Sequence, residues 1–199
     1  MSIQINYKNS GTKKPSNNLI LFVEENFNIS SLKKHISNVE FSYINDLLKN
    51  SDLKKNMLFF EVNSKKKIFL ISVKKNLEIS DIENLGAEFH GYITYSKAND
   101  YFVNSDSISN KFENFIGHFL HGLKLKSYEF NLYKSKQDKK LISINLIGHK
   151  NKPSIKNELR FKAIEQGIFF ARDLVSEPPN VLNPKEYVNR LLKLRKLGI

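Results

Sequence analysis

Between Ala171 and Pro184 the chain reads Ala-Arg-Asp-Leu-Val-Ser-Glu-Pro-Pro-Asn-Val-Leu-Asn-Pro, and its prolines dictate where helix must stop and restart. Pro178 and Pro179 lack the N–H that a helix interior needs, and their rings crowd the preceding turn, so a helix arriving from upstream ends before them. Asn183 then offers a side-chain oxygen to cap a new helix, and Pro184 suits its first position, which predicts a second helix from Pro184 to about Leu197. Upstream, Pro153 fits a first helical turn. Leu159, Ala163, Ile164, Gly167, Ile168, Ala171, Leu174 and Val175 continue from it as one long apolar stripe. Gly167 costs a helix about 1 kcal/mol relative to Ala, which points to close packing as its reason.

A length of 199 residues suits one well-buried domain with some extra chain, and 40% hydrophobic residues are enough for a packed core. With no Cys there is neither a disulfide framework nor a thiolate nucleophile. No stretch reaches the roughly 18 apolar residues of a membrane span, and Met1–Lys8 alternates apolar with polar, unlike a secretory leader. These features predict a cytoplasmic protein. The formal charge of +12 comes almost wholly from Lys, in pairs and triplets such as Lys33-Lys34 and Lys65-Lys66-Lys67 set between apolar segments. Such spacing reads first as solvated surface and second as a basic face for nucleic acid.

Alternation at Ile3, Ile5 and Tyr7 and the apolar run Asn18–Val23 predict strands, separated by a turn from Asn9 to Ser16. Short helical segments follow at Ser31–Ser37 and Phe41–Lys49. Met57–Val62 and Lys67–Val73 read as a hairpin. A helix is expected from Ser80, with Ser80 and Glu83 as a capping box and Ile82, Leu85 and Phe89 on its inner face. Tyr101–Val103 is a short strand. A further helix is expected from Asp106 or Ser107 through Leu123, carrying Ile108, Phe112, Phe115, Ile116, Phe119 and Leu120. Leu141–Ile147 alternates as a strand. Strands interspersed with helices place the chain in the α/β class, with a largely covered sheet.

Two segments carry a family resemblance. The stretch Gly122-Leu123-Lys124-Leu125-Lys126-Ser127-Tyr128-Glu129-Phe130-Asn131-Leu132-Tyr133-Lys134 resembles the Gly-Leu-x-Leu-x-Ser-Tyr-x-Phe-x-x-Tyr-Lys segment of the leucyl aminopeptidase (cytosol aminopeptidase) family. The run from Ala171 to Asn180 resembles that family's junction between its amino-terminal and catalytic domains, with Ser176 where Asn is commoner. The order and separation of the two segments also match.

The resemblance implies a macro-domain-like mixed sheet flanked by helices over residues 1–150. It implies a connecting helix and Pro-Pro junction over 151–180 and the first helix of a catalytic domain over 181–199. Family members are hexameric exopeptidases that release amino-terminal residues, notably Leu, from peptides with two divalent metals, Zn or Mn. Their metal ligands include an Asn-Thr-Asp-Ala-Glu-Gly-Arg segment of the catalytic domain, which these residues do not contain. Carry-over is therefore limited to Ala171, Arg172, Asp173, Leu174, Val175, Glu177, Pro178, Pro179 and Asn180 as junction residues, with no catalytic or metal-binding residue assigned. The chain alone is expected to be inactive and to serve assembly and interdomain contacts.

Residue by residue, other chemistries find little support. His118 and His121 sit three apart on a helix and could share a metal, yet no Cys or acid stands near them in sequence. They read instead as partly exposed groups flanking the Phe115–Phe119 stripe. Glu24-Glu25 would point to opposite faces of a strand. The glycines are scattered, with no phosphate-cradling loop and no Gly-x-Ser-x-Gly elbow. A DNA-binding module and an ADP-ribose-type pocket stand as alternatives. The apolar residues Tyr187, Val188, Leu191, Leu192, Leu194 and Leu197 on the last helix predict a surface for the missing catalytic domain.

Overall fold

Strand β2 (Asn18–Glu24) is apolar on both faces, and that places it in the middle of the sheet. The computed structural model describes residues 2–7, 17–109, 112–135 and 140–198. The turn expected over 9–16, with Lys13-Lys14, and Lys139 lie outside them. Strand β2 pairs in parallel with β4 (Lys66–Val73) on one side and with β5 (Asp100–Asn104) on the other. Strand β6 (Leu141–Ile147) joins β5 to β1 (Ser2–Asn6), again in parallel. Strand β3 (Met57–Asn63) closes the far edge antiparallel to β4, as the hairpin reading expects. The order is β1-β6-β5-β2-β4-β3.

Helices cover both faces. Leu19, Leu21 and Val23 of β2 pack with Ile68 and Leu70 of β4 beneath α1 (Asn38–Leu48) and the short turns carrying Phe27 and Leu32. On the opposite face Ile20 and Phe22 meet α2 (Ile79–Thr94) and α3 (Phe115–Lys126). There the Phe22 ring stands edge-on to Phe115 and Phe119, with centroids 5.3 and 5.2 Å away. The α/β reading is correct, with a mixed sheet.

Two glycines set the spacing of α2 and α3. A Cβ at Gly86 would stand 2.0 Å from the Phe119 carbonyl oxygen, and one at Gly122 would stand 2.0 Å from that of Glu83. Each helix backbone therefore rests on the other, at a separation no side chain permits. Helix α4 (Ile155–Ser176) docks more thinly. Its buried residues are Phe161 and Glu165, with the Phe161 ring occupying the space that a Cβ at Gly117 would need.

Several expectations are corrected. The helix foreseen from Asp106 begins only at Phe115. Polar side chains hold the preceding chain as a turn instead: Asn104 Oδ1 accepts the Asp106 N–H, and Ser107 donates to the Asn104 carbonyl while accepting the Phe22 N–H. Helix α2 starts at Ile79 rather than Ser80, with the Asp81 carboxylate accepting the Glu78 N–H at 2.9 Å. The segment expected as helix near Ser31 is a tighter turn over Ser30–Lys34. Gly167 meets nothing within 4 Å of where its Cβ would lie, so close packing within this chain is not its reason. Most of the stripe it belongs to faces outward.

These environments set opposite outcomes for two Gly-to-Ala substitutions. Gly122→Ala is expected to lower unfolding stability by at least about 2 kcal/mol through overpacking. Gly167→Ala is expected to raise it by roughly 0.5–1 kcal/mol through helix propensity. Urea denaturation at equilibrium distinguishes the two, and a neutral Gly122→Ala would contradict the backbone contact described.

Candidate functional site

The two sequence segments that resemble one family converge on each other in space. Helix α3 ends at Lys126, and the chain from Ser127 to Ser135 runs beside the second half of α4. Arg172 Nη1 donates to the Leu125 carbonyl at 2.6 Å, and its guanidinium lies 5.5 Å from the centre of the Tyr128 ring. The Tyr128 hydroxyl donates to Asp173 Oδ1 at 2.7 Å, while its ring packs on Phe169. Burial and then the Asp173 carboxylate push the Tyr128 hydroxyl above its ordinary pKa, so it remains a donor.

Glu177 makes the next clamp. It accepts hydrogen bonds from the Tyr133 hydroxyl and from Arg190 Nη1, the latter at 2.8 Å. Those two donors hold its carboxyl below the ordinary carboxylate range, Tyr133 contributing most. Its own N–H closes α4 onto the Asp173 carbonyl at 3.1 Å. The Pro178 carbonyl then accepts the Val181 and Leu182 N–H groups, both at 2.9 Å, which turns the chain toward α5 (Pro184–Leu192). Asn183 caps α5 through the Glu186 N–H, and Arg190 Nε reaches Glu186 at 3.2 Å. The expected cap and proline placement are thus both present, although regular α-helix stops at Leu192 and continues as a tighter turn to Leu197.

Of the nine residues singled out in sequence, Arg172, Asp173 and Glu177 carry these polar contacts. Pro178 supplies the turn carbonyl, and Leu174 is half-buried. Ala171, Val175, Pro179 and Asn180 are exposed. Tyr133 already stood in the first motif, but nothing in the sequence tied it to Glu177. Arg190, twelve residues beyond Pro178, carried no signal at all.

The histidines do not form a shared site. His118 Nδ1 lies 3.3 Å from Glu83 Oε1, whereas His121 Nδ1 lies 3.4 Å from Glu165 Oε1. The Phe161 ring is close to both imidazoles, at 5.0 and 5.2 Å between centroids. His121 is buried, which corrects its reading as a partly exposed flank, because α4 closes over it. Among the described residues no group of three or more His, Asp or Glu could hold a metal ion. The residues here therefore do not fit a di-metal centre, which needs several oxygen ligands converging on two ions.

No family model matches the chain. A protein of Methylobacterium radiotolerans named probable cytosol aminopeptidase is 35% identical over 88 residues, 42% of this chain and 18% of that protein. A solved tomato leucine aminopeptidase variant superposes on 99% of this chain with a TM-score of 0.71 at 18% identity. In sequence over that stretch, and in fold over nearly its whole length, the chain is similar to aminopeptidases. It spans 42% of the tomato aminopeptidase and a smaller share of the curated one. A third similar structure, the bottromycin maturation enzyme BotP in complex with Mn, covers 92% of this chain with a TM-score of 0.65 at 10% identity.

Because Glu177 anchors α5 through Arg190, Glu177→Gln is expected to loosen it. The amides of α5 are expected to exchange several-fold faster, with those of the central strands unchanged. Hydrogen exchange followed by mass spectrometry reads both regions, and unaltered protection of α5 would contradict the clamp.

Proposed function

We propose that these 199 residues form the amino-terminal scaffold of a di-metal leucyl aminopeptidase, an enzyme that releases amino-terminal residues from peptides. Residues 1–150 are its α/β domain, 151–180 its connecting helix and Pro-Pro junction, and 181–199 the beginning of its catalytic domain. The observation that carries this reading is the junction. Two separated motifs of the family meet through Arg172, Asp173 and Glu177, in a fold that superposes on nearly the whole chain but less than half of the tomato enzyme.

Ala171 to Asn180 serve as joint rather than as catalyst. Peptide cleavage and its two divalent ions, Zn or Mn, belong to a catalytic domain outside these residues. The surface of α5 supports a partner there, since none of its residues is buried and Tyr187, Val188 and Leu192 are exposed. Assembly as a hexamer and a cytoplasmic setting accompany the same reading. Among the described residues no helix is long and apolar enough to cross a membrane.

The 199-residue chain is expected to leave Leu-p-nitroanilide intact in the presence of Mn²⁺ or Zn²⁺. Metal-dependent turnover by the pure chain, abolished by chelator, would overturn the scaffold assignment.

A further inference from the structure

A cleft of about 450 Å³ opens between the edge strand β1 and helix α4, a volume suited to a small molecule. Its inner wall is apolar: Ile3 is buried, Ile5 is half-buried, and Leu159 projects from α4 with 63% of its surface exposed. Charges of both signs ring that apolar wall. Glu158 and Lys162 stand one turn apart on α4, and Glu165 lies deeper, nine-tenths buried beside His121. Lys124 Nζ is already engaged by the Ile3 carbonyl, which leaves Lys162 as the cation at the mouth.

The backbone of β1 adds a further donor and acceptor. In its parallel pairing with β6 the Ser2 N–H bonds the Lys140 carbonyl, so even-numbered residues face β6 and odd-numbered residues face away. The N–H and C=O of Ile5 accordingly border the cleft.

We propose that this cleft binds the free zwitterion of an apolar α-amino acid. Its ammonium donates to Glu158, with the Ile5 carbonyl as second acceptor. Its carboxylate accepts from Lys162 and the Ile5 N–H, and its side chain covers Leu159 and Ile5. An acid and a base separated by one helical turn beside an apolar wall match those three features together. A simple anion or cation would use one and leave the opposite charge facing it. The titration of the lining agrees. Burial pushes the Glu158 carboxyl and the Tyr7 hydroxyl up and the Lys124 ammonium down, as expected of groups drawn partly out of water.

The ligand bridges β1 to the helix that leads into the junction, so its binding stiffens α4 against the sheet. Apolar amino acids are also what a leucyl aminopeptidase releases. Product sensing through α4 rests on the function proposed above, whereas the binding itself does not.

Titration of the 199-residue chain with L-leucine, followed by amide chemical shifts, tests the proposal without any peptidase assay. Saturable shifts confined to β1 and α4 are expected. L-leucinamide, which lacks the carboxylate, and 4-methylpentanoate, which lacks the ammonium, are each expected to bind about tenfold more weakly. Glu158→Gln and Lys162→Ala, at surface positions of α4, should each weaken L-leucine by a similar factor while leaving the circular dichroism unchanged. Absence of saturation up to about 20 mM, binding of either analogue as tightly as L-leucine, or shifts centred elsewhere would overturn it.

Discussion

The contact between the backbones of α2 and α3 is the constraint on which the remaining architecture rests. Gly86 and Gly122 bring two helices to a separation at which each carbonyl occupies the other's Cβ position. That separation fixes how deeply α3 sinks onto β2, and so where Phe115 and Phe119 meet Phe22. It also fixes the platform for α4, because Gly117 on the next turn of α3 receives Phe161. Core side chains could be exchanged for others of like volume at modest cost. A methyl group at either glycine has nowhere to go.

From that platform the polar contacts extend outward in sequence. Arg172 and Asp173 tie α4 to the segment that leaves α3, and Glu177 ties the end of α4 to both Tyr133 and Arg190. The junction is thus held by charge-assisted hydrogen bonds rather than by buried apolar area, which suits a connection that must keep direction without becoming part of the core.

Much of this was legible in the chain. Strand β2 announced itself by apolar residues at successive positions, β6 by strict alternation, and α5 by Asn183-Pro184, since each signal arises from local backbone chemistry. What escaped was what depends on a partner in space. Asp106 and Ser107 resembled a helix start because the bonds that hold them in a turn come from Asn104 and Phe22. Glu165 carried no signal in the sequence, and only the fold brings His121 against it. Gly86 and Gly122 lay 36 positions apart as ordinary glycines until α2 and α3 crossed. Conversely, the stripe on α4 gave a true helix and a false burial, because periodicity reports the helix and not what covers its outer side.

The two anchorages of α4 give it the mechanics of a lever. Phe161 and Glu165 seat it near its beginning, and Arg172, Asp173 and Glu177 hold it near its end, with its outward side mostly uncovered between. At 1.5 Å per residue, Ser176 stands roughly 22 Å beyond Phe161, so a tilt of about 5° at that pivot displaces the junction by about 2 Å. Small rearrangements beside the sheet are in this way magnified where the chain turns into α5.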